Sequence, residues 1–180
     1  MKLFISGGAK NGKSMFAQQW AKKLSVEGHL WYLATMEPHD KEDLARIARH
    51  RNERDGWGFE TVEWGRNLLS HREEIDLEGV YLMDSVTALL TNEMFGTMDG
   101  TYNASAVENV MEGLLALMEK ASSVVLVSDN IFSDAVFYDD YTENFRKGLA
   151  QIDRRLVEVC DTVVEFSCGC PIFYKGGELL

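Results

Sequence analysis

Phe4-Ile5-Ser6-Gly7-Gly8-Ala9-Lys10-Asn11-Gly12-Lys13-Ser14 is the stretch from which the rest of the chain is read. From Gly7 onward its spacing is G-x-x-x-x-G-K-S, that of a phosphate-binding loop. Leu3 to Ile5 is a short apolar run of buried-strand type. Gly7, Gly8 and Gly12 allow the backbone to curl so that successive N–H groups face one centre. From Ser14 the pattern turns helical, with Phe16, Trp20 and Leu24 four residues apart and Ala17 and Ala21 beside them. The loop is therefore placed between a strand and a helix N-terminus, where free N–H groups and the helix dipole favour anions. In that setting Lys13 reaches the β- and γ-phosphates and Ser14 is a ligand for Mg²⁺. A glycine-rich turn that binds nothing would not need this context.

Further along, Leu30–Thr35 reads as a second buried strand, and a polar loop, Met36-Glu37-Pro38-His39-Asp40, follows it. Lys41–Arg54 is predicted as a helix with Leu44, Ile47 and Ala48 on its inner face. His50 falls on a flank shared with Asp43, Arg46 and Arg54. Arg46, Arg49, Arg51 and Arg54 crowd this one helix, as a solvated basic face or as a polyphosphate clamp. Glu60–Trp64 alternates like a short strand, and Asn67–Ile75 reads as a short helix. Gly79–Asp84 is a strong strand that ends in an acid, a position from which Asp84 can hold Mg²⁺. Val86–Phe95 is an apolar helix, and Gly96–Asn103 a flexible connection suited to a mobile loop or switch. Ser105 and Glu108 have capping-box spacing before a helix that carries Val107, Val110, Leu114 and Met118. Val124–Ser128 is a buried strand, Asp129–Tyr141 a long loop and Phe145–Val159 a long helix. Thr162–Ser167 and Pro171–Tyr174 close the chain as strands. Continuous rather than alternating apolar strands, separated by helices, predict an α/β fold: a mainly parallel sheet with helices on both faces.

The 180 residues fit a single domain, 1–180. A charge of -11 excludes nucleic acid as the main partner, which needs a basic footprint, but not nucleotides, which need only local cations and Mg²⁺. No apolar run reaches membrane-span length, and the first residues lead into the loop without a signal-peptide pattern. Cys160, Cys168 and Cys170 are too few for a disulfide framework. Reduced thiols, and with them a cytoplasmic setting, are expected.

Several stretches together resemble the bifunctional adenosylcobinamide kinase/adenosylcobinamide-phosphate guanylyltransferase family of cobalamin biosynthesis. Gly7–Ser14 is similar to its G-G-A-R-S-G-K-S, and Tyr32–Thr35 to its Y-I-A-T. Arg46–Arg51 resembles its R-I-x-x-H-R, followed by Arg54 and by Thr61-Val62-Glu63 for its T-V-E. Asp84–Thr87, Leu90–Asn92, Val125–Ser128 and Phe145-Arg146 match its D-C-L-T, L-T-N, V-L-V-S and F-R. The resemblance implies a RecA-like P-loop fold and a homotrimer. It implies that His50 takes GMP from GTP, releases pyrophosphate and passes GMP to adenosylcobinamide phosphate, after ATP or GTP has phosphorylated adenosylcobinamide. By the same resemblance the nucleotide contacts are Gly7, Gly8, Ala9, Lys10, Asn11, Gly12, Lys13, Ser14, Ala34, Thr35, Met36, Arg51, Asn52, Glu53, Arg54, Glu63 and Asp84. Catalysis falls to His50 and Lys13, and Mg²⁺ to Ser14 and Asp84.

The chain departs from the family's N-E-V-G at Asp129-Asn130-Ile131-Phe132 and through to Ala135, and from its G-x-x-N-Q on the long helix at Asp153-Arg154. These positions bear on substrate recognition and the kinase half-reaction rather than on nucleotide binding. The chemistry is reasonable in its own right: a neutral imidazole is a competent nucleophile near pH 7. Neighbouring arginines would lower its pKa and hold a triphosphate. His29, His39 and His71 have no such setting and read as surface or turn residues. Two other readings use the same loop: a P-loop kinase for another small molecule, and a nucleotide-switched binding module.

Overall fold

Strand β1 (Lys2–Gly7) lies inside a seven-stranded sheet of order β3-β2-β4-β5-β1-β6-β7. The computed structural model describes residues 1–25, 28–38, 40–96 and 102–177, and of Arg46 the backbone alone. His39 and most of the expected mobile connection, residues 97–101, lie outside the described residues. The other strands are β2 (Leu30–Ala34), β3 (Phe59–Val62), β4 (Val80–Asp84), β5 (Ser123–Asp129), β6 (Thr162–Ser167) and β7 (Cys170–Lys175). All pairings are parallel except β6 with β7, which form an antiparallel hairpin. The helices are α1 (Lys13–Leu24), α2 (Lys41–Glu53), α3 (Val86–Phe95), α4 (Ala106–Lys120) and α5 (Asp140–Val159), with a 3₁₀ turn at Leu68–Glu74. This is the α/β class expected, a mainly parallel sheet with helices on both faces and the glycine loop directly after β1.

The two faces of the sheet follow from the alternation of side chains along each strand. Leu3 and Ile5 of β1, with Val125 and Val127 of β5, pack against Ala17, Trp20 and Ala21 of α1. Phe4, Val124 and Leu126 point the other way, into a larger core with Leu89 and Leu90 of α3, Leu114 and Leu117 of α4, and Leu149, Ile152 and Leu156 of α5. Ser85 caps α3 by accepting from the Ala88 N–H at 3.2 Å. Asp139 caps α5 by accepting from the N–H groups of Tyr141 and Thr142, both at 3.0 Å.

Two local expectations are corrected. Ser105 makes no side-chain cap on α4, so the capping-box spacing there is coincidental. The short helix expected within Asn67–Ile75 is present, as a 3₁₀ helix over Leu68–Glu74. The inner face expected for α2 is not buried: Ala48 is exposed, Ile47 half-buried and Leu44 56% exposed. Asp40 caps this helix through its side chain to the Asp43 N–H at 2.9 Å, yet its apolar stripe faces a cavity, not the core.

Candidate active site at the carboxyl edge of the sheet

The C-terminal ends of five parallel strands present the sequence-predicted residues along one edge. These are the glycine loop after β1, Ala34–Met36 after β2, Glu63 after β3, Asp84 on β4 and Asp129 on β5. Ligands of open α/β sheets bind at such an edge. The chain topology thus gathers residues that are far apart in sequence.

The phosphate loop is held before any ligand arrives. Asn11 Nδ2 donates to the Phe166 carbonyl at 2.6 Å, and Asn11 Oδ1 accepts from the Lys13 N–H at 3.2 Å. A Cβ on Gly7 would come within 2.6 Å of Asn11 Nδ2 and of the Phe166 oxygen, so only glycine fits there. Gly12 has φ 96°, a left-handed conformation that glycine adopts freely. Gly8 meets no such demand, and it is Lys10 that takes the second positive φ of the loop, 55°. Lys13, only 7% exposed, donates to the Gly8 carbonyl at 3.0 Å and pairs with Asp129 Oδ1 at 2.7 Å. The sequence aimed Lys13 at the phosphates and placed Asp129 at the start of a loop. The structure adds Asp129 to the cavity and pairs it with Lys13, and a strand-end acid, like Asp84, was the signal available.

A cavity of about 570 Å³ opens beside the loop, between α2 and the strand ends. His50, Arg51 and Arg54 line it from α2 and its cap, Ala34, Thr35 and Met36 from the end of β2, and Asp84 and Asp129 from the sheet. Thr35 Oγ1 accepts from the Ser85 N–H and donates to the Ser85 carbonyl, both at 2.8 Å. Asn92 Nδ2 donates to the Thr35 and Gly65 carbonyls at 2.6 and 2.9 Å, which holds the two loops that flank the cavity.

His50 Nδ1 is 3.1 Å from Glu53 Oε2. A carboxylate on Nδ1 favours the tautomer in which Nδ1 carries the proton and Nε2 the free lone pair. Glu53, expected among the nucleotide contacts, is bonded to His50 and is not among the residues that line the cavity. Asn52 is exposed on the same turn and does not line the cavity. Arg54 is buried, with its guanidinium 3.5 Å from the centre of the Tyr32 ring. Burial pulls its pKa below the ordinary value and Arg51 adds to that, while Tyr32, Asp84 and Glu53 oppose it; a guanidinium stays charged through such a shift. Arg51 pairs with Glu63 Oε1 at 3.0 Å, both well exposed, a contact worth little by itself and open to exchange for a ligand. Of the other histidines, His29 is exposed, while His71 is half-buried and stacks on Trp64 with centroids 4.8 Å apart. Neither lines the cavity.

Ser14, in the first turn of α1, and Asp84 offer hard oxygen donors suited to Mg²⁺. Among the described residues no three His, Cys, Asp or Glu side chains cluster as a metal cage. A small octahedral ion held here would complete its shell with phosphate oxygens and water, its usual habit. Cys168, in the β6–β7 turn, and Cys170, at the start of β7, are exposed free thiols, and burial pushes the Cys160 thiol up to about 12.

A glycine loop at a strand–helix junction, two acids on neighbouring strand ends and a histidine among arginines define a P-loop enzyme that handles nucleotides. Residues 3–173 match the model of the cobinamide kinase/cobinamide phosphate guanyltransferase family, CobU, and the chain belongs to that family. It is 29% identical over 175 residues to the bifunctional adenosylcobalamin biosynthesis protein CobU of Escherichia coli (strain K12), covering 91% of this chain and 93% of that one. With the bifunctional adenosylcobalamin biosynthesis protein CobP of Pseudomonas aeruginosa it shares 27% over 181 residues, 99% of this chain and 100% of the relative. Among solved structures, the KaiC-like protein PH0186 of Pyrococcus horikoshii OT3 aligns with a TM-score of 0.49 at 15% identity, over 91% of this chain and 69% of that one. The chain is thus a transferase of a family whose name joins a kinase and a guanylyltransferase, and its role lies in adenosylcobalamin biosynthesis. Among the described residues no helix is long and apolar enough to cross a membrane.

Proposed function

We propose that the protein phosphorylates adenosylcobinamide with ATP or GTP, and then moves GMP from GTP to adenosylcobinamide phosphate through a guanylyl group on His50. The observation that carries this reading is the position of His50. It lines one cavity with Arg51, Arg54 and Asp84, and its Nδ1 is bonded to Glu53. A simple P-loop kinase needs no histidine there.

In the guanylyl step the His50 Nε2 lone pair attacks the α-phosphorus of GTP. The bond from that phosphorus to the bridging oxygen breaks, and pyrophosphate leaves with the electron pair. Glu53 keeps the Nδ1 proton in place and stabilises the cationic ring as the bond forms. Arg51 and Arg54 face the negative charge of the triphosphate, and Lys13, drawn from Asp129, faces the leaving phosphates. A phosphate oxygen of adenosylcobinamide phosphate then attacks the guanylyl phosphorus, and the P–N bond breaks to restore the imidazole. Ser14 and Asp84 would hold Mg²⁺, which would supply positive charge to the phosphate oxygens. We place this chemistry in the cytoplasm, in the homotrimer that the family resemblance implies.

Incubation with labelled GTP and Mg²⁺, followed by mass spectrometry of the digested protein, tests the reading. A GMP adduct on the peptide that contains His50, labile to acid and stable to base, supports it. GTP binding without an adduct replaces it with a kinase for another small molecule or a nucleotide switch.

A further inference from the structure

We infer that Asp129 is the general base of the phosphoryl-transfer half-reaction, the group that takes the proton from the acceptor hydroxyl; the inference rests on the kinase activity proposed above. Asp129 ends β5, the strand between β1 with its phosphate loop and β4 with Asp84. Its backbone is clamped on both sides. The Asp129 N–H donates to Thr87 Oγ1 at 2.8 Å, and the Asn130 N–H donates to the Gly7 carbonyl at 2.9 Å. The carboxylate is thus fixed relative to the glycine loop, with its side chain 25% exposed toward the cavity that holds His50.

Four carboxylates line that cavity: Glu37, Glu63, Asp84 and Asp129. Glu37 is paired with Arg66, whose Nε donates to it at 2.8 Å. Glu63 is 74% exposed and paired with Arg51 at the outer wall. Asp84 carries the Mg²⁺ role. Asp129 differs because its partner, Lys13 at 2.7 Å, is the loop lysine that a bound nucleotide draws to its phosphates. When Lys13 turns to the phosphates, Asp129 loses its counter-charge close to where the γ-phosphate lies. A carboxylate facing phosphate oxygens directly is repelled by them. With a hydroxyl between the two, the carboxylate accepts a hydrogen bond and the oxygen is aimed at phosphorus. Kinases of unrelated fold use an aspartate in this way.

The step balances. The hydroxyl oxygen attacks the γ-phosphorus, and the bond from that phosphorus to the β–γ bridging oxygen breaks. The diphosphate leaves with the electron pair, facing Lys13. The hydroxyl proton passes to an Asp129 carboxylate oxygen and is then lost to water. The guanylyl step has no hydroxyl proton to remove, because its nucleophiles are a neutral imidazole and an ionised phosphate.

The test compares wild type, Asp129→Asn and Asp129→Glu. Each is assayed for ATP-dependent phosphorylation of adenosylcobinamide and, separately, for the rate of GMP adduct formation on His50. Asp129→Asn is expected to lower the phosphorylation kcat roughly 100-fold, the scale of a positioned base. Adduct formation should slow by a factor at least ten times smaller. Asp129→Glu, with the carboxylate displaced by one methylene, should fall between the two; should the Asn variant not fold, the same split between the two rates is read from the Glu variant. Phosphorylation by Asp129→Asn at the wild-type rate overturns the assignment. An equal loss of both reactions also overturns it, and makes Asp129 only the partner of Lys13. Wild type that forms the adduct but never phosphorylates the corrinoid removes the kinase activity itself, and the base with it.

Discussion

Arg54 stacks its guanidinium 3.5 Å from the centre of the Tyr32 ring and so ties the C-terminal cap of α2 to strand β2. No described side chain within α2 is buried, so this contact, with the Asp40 cap and the Arg51–Glu63 pair, helps to hold the helix that carries His50. A planar cation on a ring is worth about 1 kcal/mol or more when desolvated. Arg54→Lys keeps the charge and loses the plane. The expected result is a roughly tenfold weaker Kd for GTP, by calorimetry, with the fold intact by circular dichroism. Unchanged affinity would assign Arg54 to packing alone.

Removal of the loop cation acts on both reactions. Lys13→Ala should abolish phosphoryl and guanylyl transfer, and the loss should appear in kcat as well as KM, since charge grows on the leaving phosphates in the transition state. It also leaves Asp129 without its partner at a half-buried site, so the urea midpoint should fall. Steady-state kinetics and a denaturation curve on one preparation check both.

Asp84 is expected to act through the metal. Asp84→Asn should raise the Mg²⁺ concentration for half-maximal rate while the fold persists. A titration of rate against Mg²⁺ that superimposes on wild type would return Asp84 to a structural role.

His50→Ala should form no GMP adduct, because no other described histidine lines the cavity. Glu53→Gln removes the charge beside Nδ1 and should slow adduct formation about tenfold, the scale of one hydrogen bond to a charged group. A quenched time course of adduct mass measures both. Kinase activity should survive in His50→Ala, since direct transfer to a hydroxyl needs no protein nucleophile.

Asp153 provides a pH prediction. It lies buried on α5, where its Oδ1 accepts from Ser128 Oγ at 2.9 Å, and burial pushes its carboxyl up to about 7, with the Asp129 charge adding to the rise and the Ser128 bond opposing it. The folded state therefore holds this proton between about pH 4 and pH 7, where the unfolded chain has released it. Stability falls as pH rises across that window and levels off above it, by up to about 4 kcal/mol from this group. Asp153→Asn, neutral at every pH, should be more stable than wild type at pH 8 and lack this slope. Urea midpoints at pH 5 and pH 8 for both proteins decide the matter.

The scaffold was legible because strand and helix patterns of different period alternate along the chain, and because the phosphate loop demands a strand before it and a helix after it. His50, Arg51, Arg54 and Asp84 do meet in one cavity. What was misread has a physical reason in each case. Leu44 and Ile47 recur at helical period, which normally marks a core stripe, but the stripe lines the cavity instead. The bond between Glu53 and His50 went unread, although their spacing of three on a helix already allowed it. Asp129 stayed hidden because its partner, Lys13, is 116 positions away and only the parallel pairing of β1 with β5 joins them.

The place of β1 in the sheet also sets when the phosphate loop takes its shape during synthesis. The phosphate loop precedes both strands that flank β1, since β5 and β6 are made after residue 122. The carbonyl that holds Asn11 belongs to Phe166. A nascent chain with its first 120 residues complete has the whole G-x-x-x-x-G-K-S sequence and neither neighbour to shape it. The loop is thus shaped only once β5 and β6, which lie more than 100 residues further along the chain, have been made.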